Sequence, residues 1–477
     1  MNMGTLSNDK SLNKKIKGKS SEKDLAQDLY AAKEKIYPRE VHGIFATLRL
    51  TGVVVLMGIY YGVPWLNWNN RQAILWDLPN QRFHIFNLTF WPQDLFYLSA
   101  ILVIAALSLF FFTALAGRLW CGYACPQTVW TEVFLWIERK VEGDRPKQMR
   151  LDKSPWGIRK LGLKATKHGI WIILSLWTGY TFVGYFTPIR ELGAGILIFE
   201  VGPWETFWVL FYGFATYGNA GWLREQVCIY MCPYARFQSA MLDKNTLIIS
   251  YDPKRGEPRG SRRKSDDPRS LGLGDCVDCT LCVQACPTGI DIRNGLQYEC
   301  IGCAACIDAC DNVMEKVGYP KGLIRYTTEN QLEVGSTNIL RPRVAIYGLI
   351  LLALIGSIIY AISIRIPLKL DVIRDRNALY RETDDGLVEN VYTLKILNKD
   401  YQQHRYQLSV NSGYPLKLLV DNPNITVPEG DVNEVTARVQ VEPGQFPTQS
   451  ISFEFELRSL TDPTIKTNES ARMVGPK

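Results

Sequence analysis

Eight cysteines fall in two runs whose spacing suits iron–sulfur chemistry. Cys276, Cys279, Cys282 and Cys286 are followed by Pro287, a C-x2-C-x2-C-x3-C-P run. Cys300, Cys303, Cys306 and Cys310 repeat the spacing, with Asp311 where the proline would stand. Three closely spaced thiolates can wrap three corners of a cubane, and the fourth, one turn further on, reaches across to a second cubane. The spacing therefore predicts two [4Fe–4S] clusters, one on Cys276, Cys279, Cys282 and Cys310, the other on Cys300, Cys303, Cys306 and Cys286. Small neighbours (Ala285, Gly302, Ala304, Ala305, Ala309) leave room for a cubane and for N–H bonds to its sulfurs. Structural zinc, the plainer alternative, takes two C-x-x-C pairs rather than runs of four.

A shorter motif occurs twice. Cys121-Gly-Tyr-Ala-Cys125-Pro126 and Cys228-Ile-Tyr-Met-Cys232-Pro233 are both C-x3-C-P with a central tyrosine, each following an apolar run. On a helix, residues four apart share a face, so each pair is a candidate for holding one metal. Thiolates beside Met231 are soft donors that suit Cu(I) or iron–sulfur. The plain alternative is buried cysteines marking close helix packing. Two matched pairs at equivalent places favour function, and suggest a duplicated two-span unit.

The elements that must position these residues are membrane helices. Five apolar stretches are long enough to cross a bilayer: about Ile44 to Leu66, Leu95 to Leu119, Gly169 to Phe186, Trp204 to Leu223 and Val344 to Ile364. Arg49 lies near enough to the start of the first to snorkel. The stretch Ile196 to Val201 reads as partly re-entrant. Lys and Arg number nine before the first span and eleven from Arg118 to Lys167, whereas the loop between spans one and two has Arg71 and Arg82 and the next outer loop Arg190. The rich segments belong in the cytoplasm. This places both cysteine regions in the cytoplasm and the C-terminal domain in the periplasm. After Pro367, short alternating runs between Asn, Asp, Gly and Pro read as an antiparallel β-sandwich.

The predicted organisation is a multi-domain integral membrane protein: a cytoplasmic tail (1–43), four membrane helices carrying both C-x3-C-P motifs (44–223), a linker (224–270), a two-cluster ferredoxin domain (271–315), a connector (316–343), a fifth membrane helix (344–366) and an immunoglobulin-like β-sandwich (367–477). The tail is polar and cationic, without the apolar core of a cleavable signal peptide. The net charge of +7 sits beside apolar runs, and no basic face points to nucleic acid. No phosphate-binding glycine motif is present. His42, His84 and His168 are too scattered for haem ligation, and His404 has no partner in the sequence pattern.

Taken together, CGYACP and CIYMCP, then CVDCTLCVQACP and CIGCAACIDAC, then one span and a β-domain, resemble the cytochrome c oxidase accessory proteins of the FixG/CcoG (RdxA) type. The resemblance covers nearly the whole chain after the tail. Related polyferredoxins of nitrate and nitrous-oxide respiration share the C-x3-C-P pairs, and the β-domain favours the oxidase group. The resemblance implies residence in the bacterial inner membrane, a cytoplasmic electron donor, and reduction of Cu(II) to Cu(I) for the machinery that assembles a cbb-type oxidase. It makes Cys121, Cys125, Cys228 and Cys232 the candidate copper-handling and catalytic thiols. Two rival readings are an electron conduit between quinone or flavin and a respiratory partner, and a non-enzymatic assembly scaffold.

Overall fold

The computed structural model describes residues 35–475, apart from 69–70, 264–269, 401, 423 and 446–448. The cationic run from Lys10 to Lys23 lies outside the described residues, as does part of the linker. In chain order the main helices are α1 (Ile44–Gly62), α2 (Leu95–Ala116), α3 (Pro126–Glu142), α4 (Ile158–Val183), α5 (Ile189–Ile198), α6 (Pro203–Thr216), α7 (Ala305–Val317) and α8 (Pro342–Ser363).

Three segments are long and apolar enough to cross a membrane: Ile44–Trp65, α2 and α8, each 22 residues. At 1.5 Å per residue each reaches about 33 Å, the depth of a hydrocarbon core. Their large side chains, such as Leu349, Leu352 and Ile359, stay exposed because lipid takes the place of a protein core. The stretch read as re-entrant, Ile196 to Val201, spans the end of α5 and the turn after it, where α5 meets the Pro203–Leu223 segment at a bend of 100°, a broken span or a re-entrant loop. The third expected span differs most. Its helix α4 begins at Ile158 rather than Gly169, and is not among the helices apolar enough to cross. Its first turns carry Arg159, Lys160, Lys164 and Lys167. Hydropathy counts these as loop charges, yet Lys167 is buried, with its Nζ 3.1 Å from Glu138 and 2.9 Å from Glu142 of α3. The described residues thus show three straightforward spans and one bent one, not five of equal standing.

The segment between α1 and α2, expected to be plain loop, forms a three-stranded antiparallel sheet of β1 (Ile74–Asp77), β2 (Arg82–Ile85) and β3 (Leu88–Phe90). The linker and the connector also differ from expectation. β4 (Ile248–Tyr251) from one pairs antiparallel with β5 (Ile324–Thr327) from the other, with Tyr251 opposite Ile324. Ile249, Tyr251, Leu323 and Ile324 share one core with Cys276, Cys282 and Cys310. The linker is therefore part of the cysteine domain. Its Arg255 holds Asp275 at 2.6 Å, beside the first cluster cysteine.

The C-terminal domain is the expected sandwich. Its strands are β6 (Leu368–Arg374), β7 (Val388–Asn398), β8 (His404–Asn411), β9 (Lys417–Val420), β10 (Asn424–Val427), β11 (Val432–Val441), β12 (Ser450–Ser459) and β13 (Lys466–Val474). One sheet runs β9-β11-β7-β6, the other β10-β8-β12-β13. Alternation along β12 buries Ile451, Phe453, Phe455 and Leu457. His404, on β8, is buried and bonded to Asp400 at 2.7 Å and to Thr461 at 2.6 Å.

Buried charges join this domain to the membrane region. Asp94, just before α2, accepts from Lys399 at 2.9 Å and from Arg365 at 2.6 Å. Arg82 of β2 reaches Asp431 at 2.6 Å. The small sheet and the sandwich thus share one end of α1, α2 and α8, and the cysteines occupy the other. Asp94→Ala leaves two largely buried cations without their counter-ion, a change that typically costs up to about 3–5 kcal/mol. We expect the variant to be cut by trypsin near Arg365 where the parent resists. Equal resistance in both would show that the clamp is dispensable.

Candidate iron–sulfur and thiol site

The two cysteine runs fold into matched halves. Asp278 and Thr280 in the first, and Gly302 and Ala304 in the second, all have positive φ (52°, 56°, 68° and 60°). These are equivalent positions of the repeat. Three of them are not glycine, so the conformation costs energy and signals a constraint. Left-handed residues alternating with ordinary ones turn successive N–H groups inward, making a concavity suited to an anion. The N–H of Gly302 faces the Cys300 sulfur, and that of Ala305 faces the Cys303 sulfur.

Crossing over then sorts the thiols. One chamber is lined by Cys276, Cys279, Cys282 and Cys310, with Val277, Met314 and Leu323. The other is lined by Cys286, Cys300, Cys303 and Cys306, with Ile249, Ile292 and Ile301, and also touches Cys282. These are the two groups of four that the spacing predicts. Among the described residues no three His, Cys, Asp or Glu close on a point where one ion could sit. The thiols surround chambers rather than points, as an iron–sulfur core requires. Burial pushes the Cys303 and Cys310 thiols up to about 12 and the Cys282 thiol to about 11. Burial raises Cys306 well above its ordinary range, helped by its thiol neighbours. Thiols so placed give up their protons to a bound metal centre, so ligation and deprotonation go together. Four soft donors, apolar walls and inward N–H groups fit a [4Fe–4S] core in each chamber.

The second chamber is the one against the membrane. Asp308, inside the Cys306–Cys310 run, accepts from the N–H groups of Phe45 at 3.3 Å and Ala46 at 2.7 Å. These are among the unpaired donors at the start of α1, so a carboxylate from the cysteine domain caps the first membrane helix. Arg49 does not snorkel to water as expected, but donates to the carbonyl of Cys303. Arg118, buried at the end of α2, donates to the carbonyl of Cys300 at 3.2 Å. Tyr326 of β5 donates to the carbonyl of Gly302 at 2.7 Å.

A close backbone contact joins the two kinds of motif. A Cβ on Gly122, between Cys121 and Cys125, would lie 2.7 Å from the Gly302 oxygen and 2.9 Å from the Cys303 Cα. Only a glycine lets these backbones meet. The C-x3-C-P motifs themselves are not single helices with two thiols on one face. Cys121 sits in a short helix (Leu119–Tyr123), and Cys228 in a π-helical turn (Val227–Met231). Cys125 and Cys232 are extended (ψ 128° and 111°), because each precedes a proline that opens the next helix. The helix that follows the second motif nevertheless packs against the first, with Arg118 donating to the carbonyl of Ala235. Burial lifts the Cys121 and Cys228 thiols to about 12. Gln238 accepts from the Cys121 thiol at 3.5 Å. Beside the motifs, Glu138 is buried, yet Arg224, Lys35 and Lys167 hold its carboxyl down at about 2.

Comparison with known proteins agrees with this geometry. Residues 223–329 match a 4Fe-4S dicluster domain, and residues 98–142 a 4Fe-4S binding domain. Residues 358–476 match the IG-like fold at the C-terminus of FixG. Fold, chambers and matches define a membrane-associated iron–sulfur electron-transfer protein. The chain is 40% identical to protein RdxB of Cereibacter sphaeroides over 432 residues, covering 87% of this chain and 90% of that one. It is 39% identical to RdxA of the same organism, covering 82% and 86%, and 37% identical to the nitrogen fixation protein FixG of Rhizobium meliloti, covering 80% of each. The chain belongs to the FixG/RdxA family. A crystal structure of a FixG-related protein from Vibrio parahaemolyticus is 29% identical, covering 23% of this chain and 95% of that one, with a TM-score of 0.21.

Sequence reasoning missed Asp308, Arg118 and the Gly122 contact. A glycine inside a short cysteine motif is the one signal that could have pointed to a close approach. Gly122→Val places a branched side chain against backbone that cannot yield. We expect it to lift the cysteine domain off the membrane end, so that an iron chelator removes iron several-fold faster from the variant, as loss of such a packed contact implies. Equal chelation rates would show that the contact does not hold the domain in place.

Proposed function

We propose that this protein is a cupric reductase of the bacterial inner membrane, supplying Cu(I) for assembly of a cbb-type cytochrome c oxidase. The observation that carries this is the backbone contact between Gly122, inside the first C-x3-C-P motif, and Gly302, inside a cluster-binding run. Cys276, Cys279, Cys282 and Cys310 would hold one [4Fe–4S] cluster, and Cys286, Cys300, Cys303 and Cys306 the other. When bound, the clusters supply electrons one at a time. Cu(II) takes up one electron and becomes Cu(I). Cys121, Cys125, Cys228 and Cys232 would receive the ion. Soft thiolates prefer Cu(I) to Cu(II), which makes the reduction more favourable. Gln238 steadies the Cys121 thiol, and Met231, exposed beside Cys232, adds a soft donor on the way out.

Replacing Cys121, Cys125, Cys228 and Cys232 by serine tests the reading. We expect the visible absorbance of the clusters to persist, while copper binding and dithionite-driven Cu(II) reduction fall by roughly tenfold or more, as loss of soft ligands predicts. Undiminished copper reduction would remove the thiols from the mechanism. The 4Fe-4S match over Cys121 and Cys125 favours a second reading, a third cluster on these four thiols. Iron analysis of anaerobic protein separates the two, with about eight irons for two clusters and about twelve for three.

The charge asymmetry supports a cytoplasmic cysteine domain and a periplasmic β-sandwich. Cys279 is the exposed cluster cysteine. In iron-depleted membranes, a membrane-impermeant maleimide should label it from the cytoplasmic face of inverted vesicles and not from outside intact spheroplasts. The opposite pattern would reverse the topology.

A further inference from the structure

We infer that the cleft between α1, α3 and the membrane-side cysteine loop binds the headgroup of an isoprenoid quinol, whose electrons load the two clusters. This names the donor for the reading above and rests on it. The cleft has a volume of about 380 Å³. That is within the range of small-molecule sites, roughly 300–1,000 Å³, and admits a substituted quinone ring.

Its walls differ in kind. Leu50, Val53 and Trp136 line one side. Leu50, in a helix long and apolar enough to cross a membrane, and Trp136 are both exposed, which suits access from the bilayer. A donor arriving here comes with an apolar tail. Cys303 of the second chamber and Cys228 of the second C-x3-C-P motif also line the cleft. No other cavity described above touches thiols of both kinds. The cleft also carries polar groups suited to a quinone ring. Arg139, held by Glu132 at 3.2 Å, offers N–H donors to a ring oxygen, and Thr131 offers a hydroxyl. His42 and Glu40, both exposed, also line the cleft.

The electron count closes. Oxidising one quinol to a quinone breaks two O–H bonds and releases two protons and two electrons. His42 and Glu40 are placed to take the protons. Two clusters held by the eight cysteines would take one electron each, together the two that one quinol gives. The stored electrons then leave singly, one for each Cu(II). A two-electron lipid-soluble donor is thereby matched to a one-electron acceptor.

The experiment uses the full chain in lipid nanodiscs under anaerobic conditions, with duroquinol as the probe because its ring has no free position for thiol addition. Duroquinol should bleach the visible absorbance of the clusters. Thr131→Phe and Val53→Trp, two independent ways of filling the cleft, should slow that bleaching by roughly tenfold or more, as overpacking a site implies. Dithionite, which needs no cleft, should bleach both variants fully, showing that they are folded and loaded. Light-activated azidoquinone should crosslink to α1 and α3, and excess duroquinone should suppress the adducts. Adducts elsewhere, no bleaching of the parent by duroquinol, or variants bleached at the parent's rate would each overturn the quinol site. Dithionite-driven copper reduction reads the other proposal separately. Its absence from the parent would sink the reductase reading and leave the quinol result standing.

Discussion

Backbone contact between Gly122 and the Gly302–Cys303 peptide is the constraint around which the cytoplasmic end is organised. Two motifs far apart in the chain meet there without side chains between them. Electron transfer weakens steeply with distance, so direct apposition of a cluster-binding loop and a thiol motif has functional weight. The surrounding bonds serve the same end. Asp308 caps α1, Arg49 and Arg118 hold the carbonyls of Cys303 and Cys300, and Tyr326 holds that of Gly302. Each ties a membrane element to the same short loop. In the first chamber Cys279 is exposed.

Charge buried at the ends of the membrane helices does the remaining positioning. At one end Glu138 gathers Arg224, Lys35 and Lys167, and this cluster sits behind the second C-x3-C-P motif. At the other, Asp94 gathers Arg365 and Lys399 and seats the β-sandwich. Ions removed from water are tolerable only when paired, and an unpaired partner is heavily penalised. Such pairs therefore specify how elements meet more than they add to stability. Between these ends the membrane segments need few specific contacts, since lipid satisfies their apolar faces.

The cysteine chemistry was legible without coordinates. Spacing alone separates the eight cluster cysteines into two crosswise sets, because three neighbouring thiolates can reach only three corners of one cubane. The sandwich was legible from alternation with a period of two, as on β12, and the spans α1, α2 and α8 from unbroken apolar length. Tertiary structure alone decided the rest. That Lys167 is buried rather than in a loop depends on Glu138 and Glu142, which lie on another helix. That linker and connector close the cysteine domain as β4 and β5 depends on a pairing between segments with the cluster cysteines between them. That the helix after Cys232 packs against Cys121, and that Asp308 caps α1, follows from how helices dock. Local pattern records what each segment buries. It carries no record of which distant charge or backbone will be waiting there.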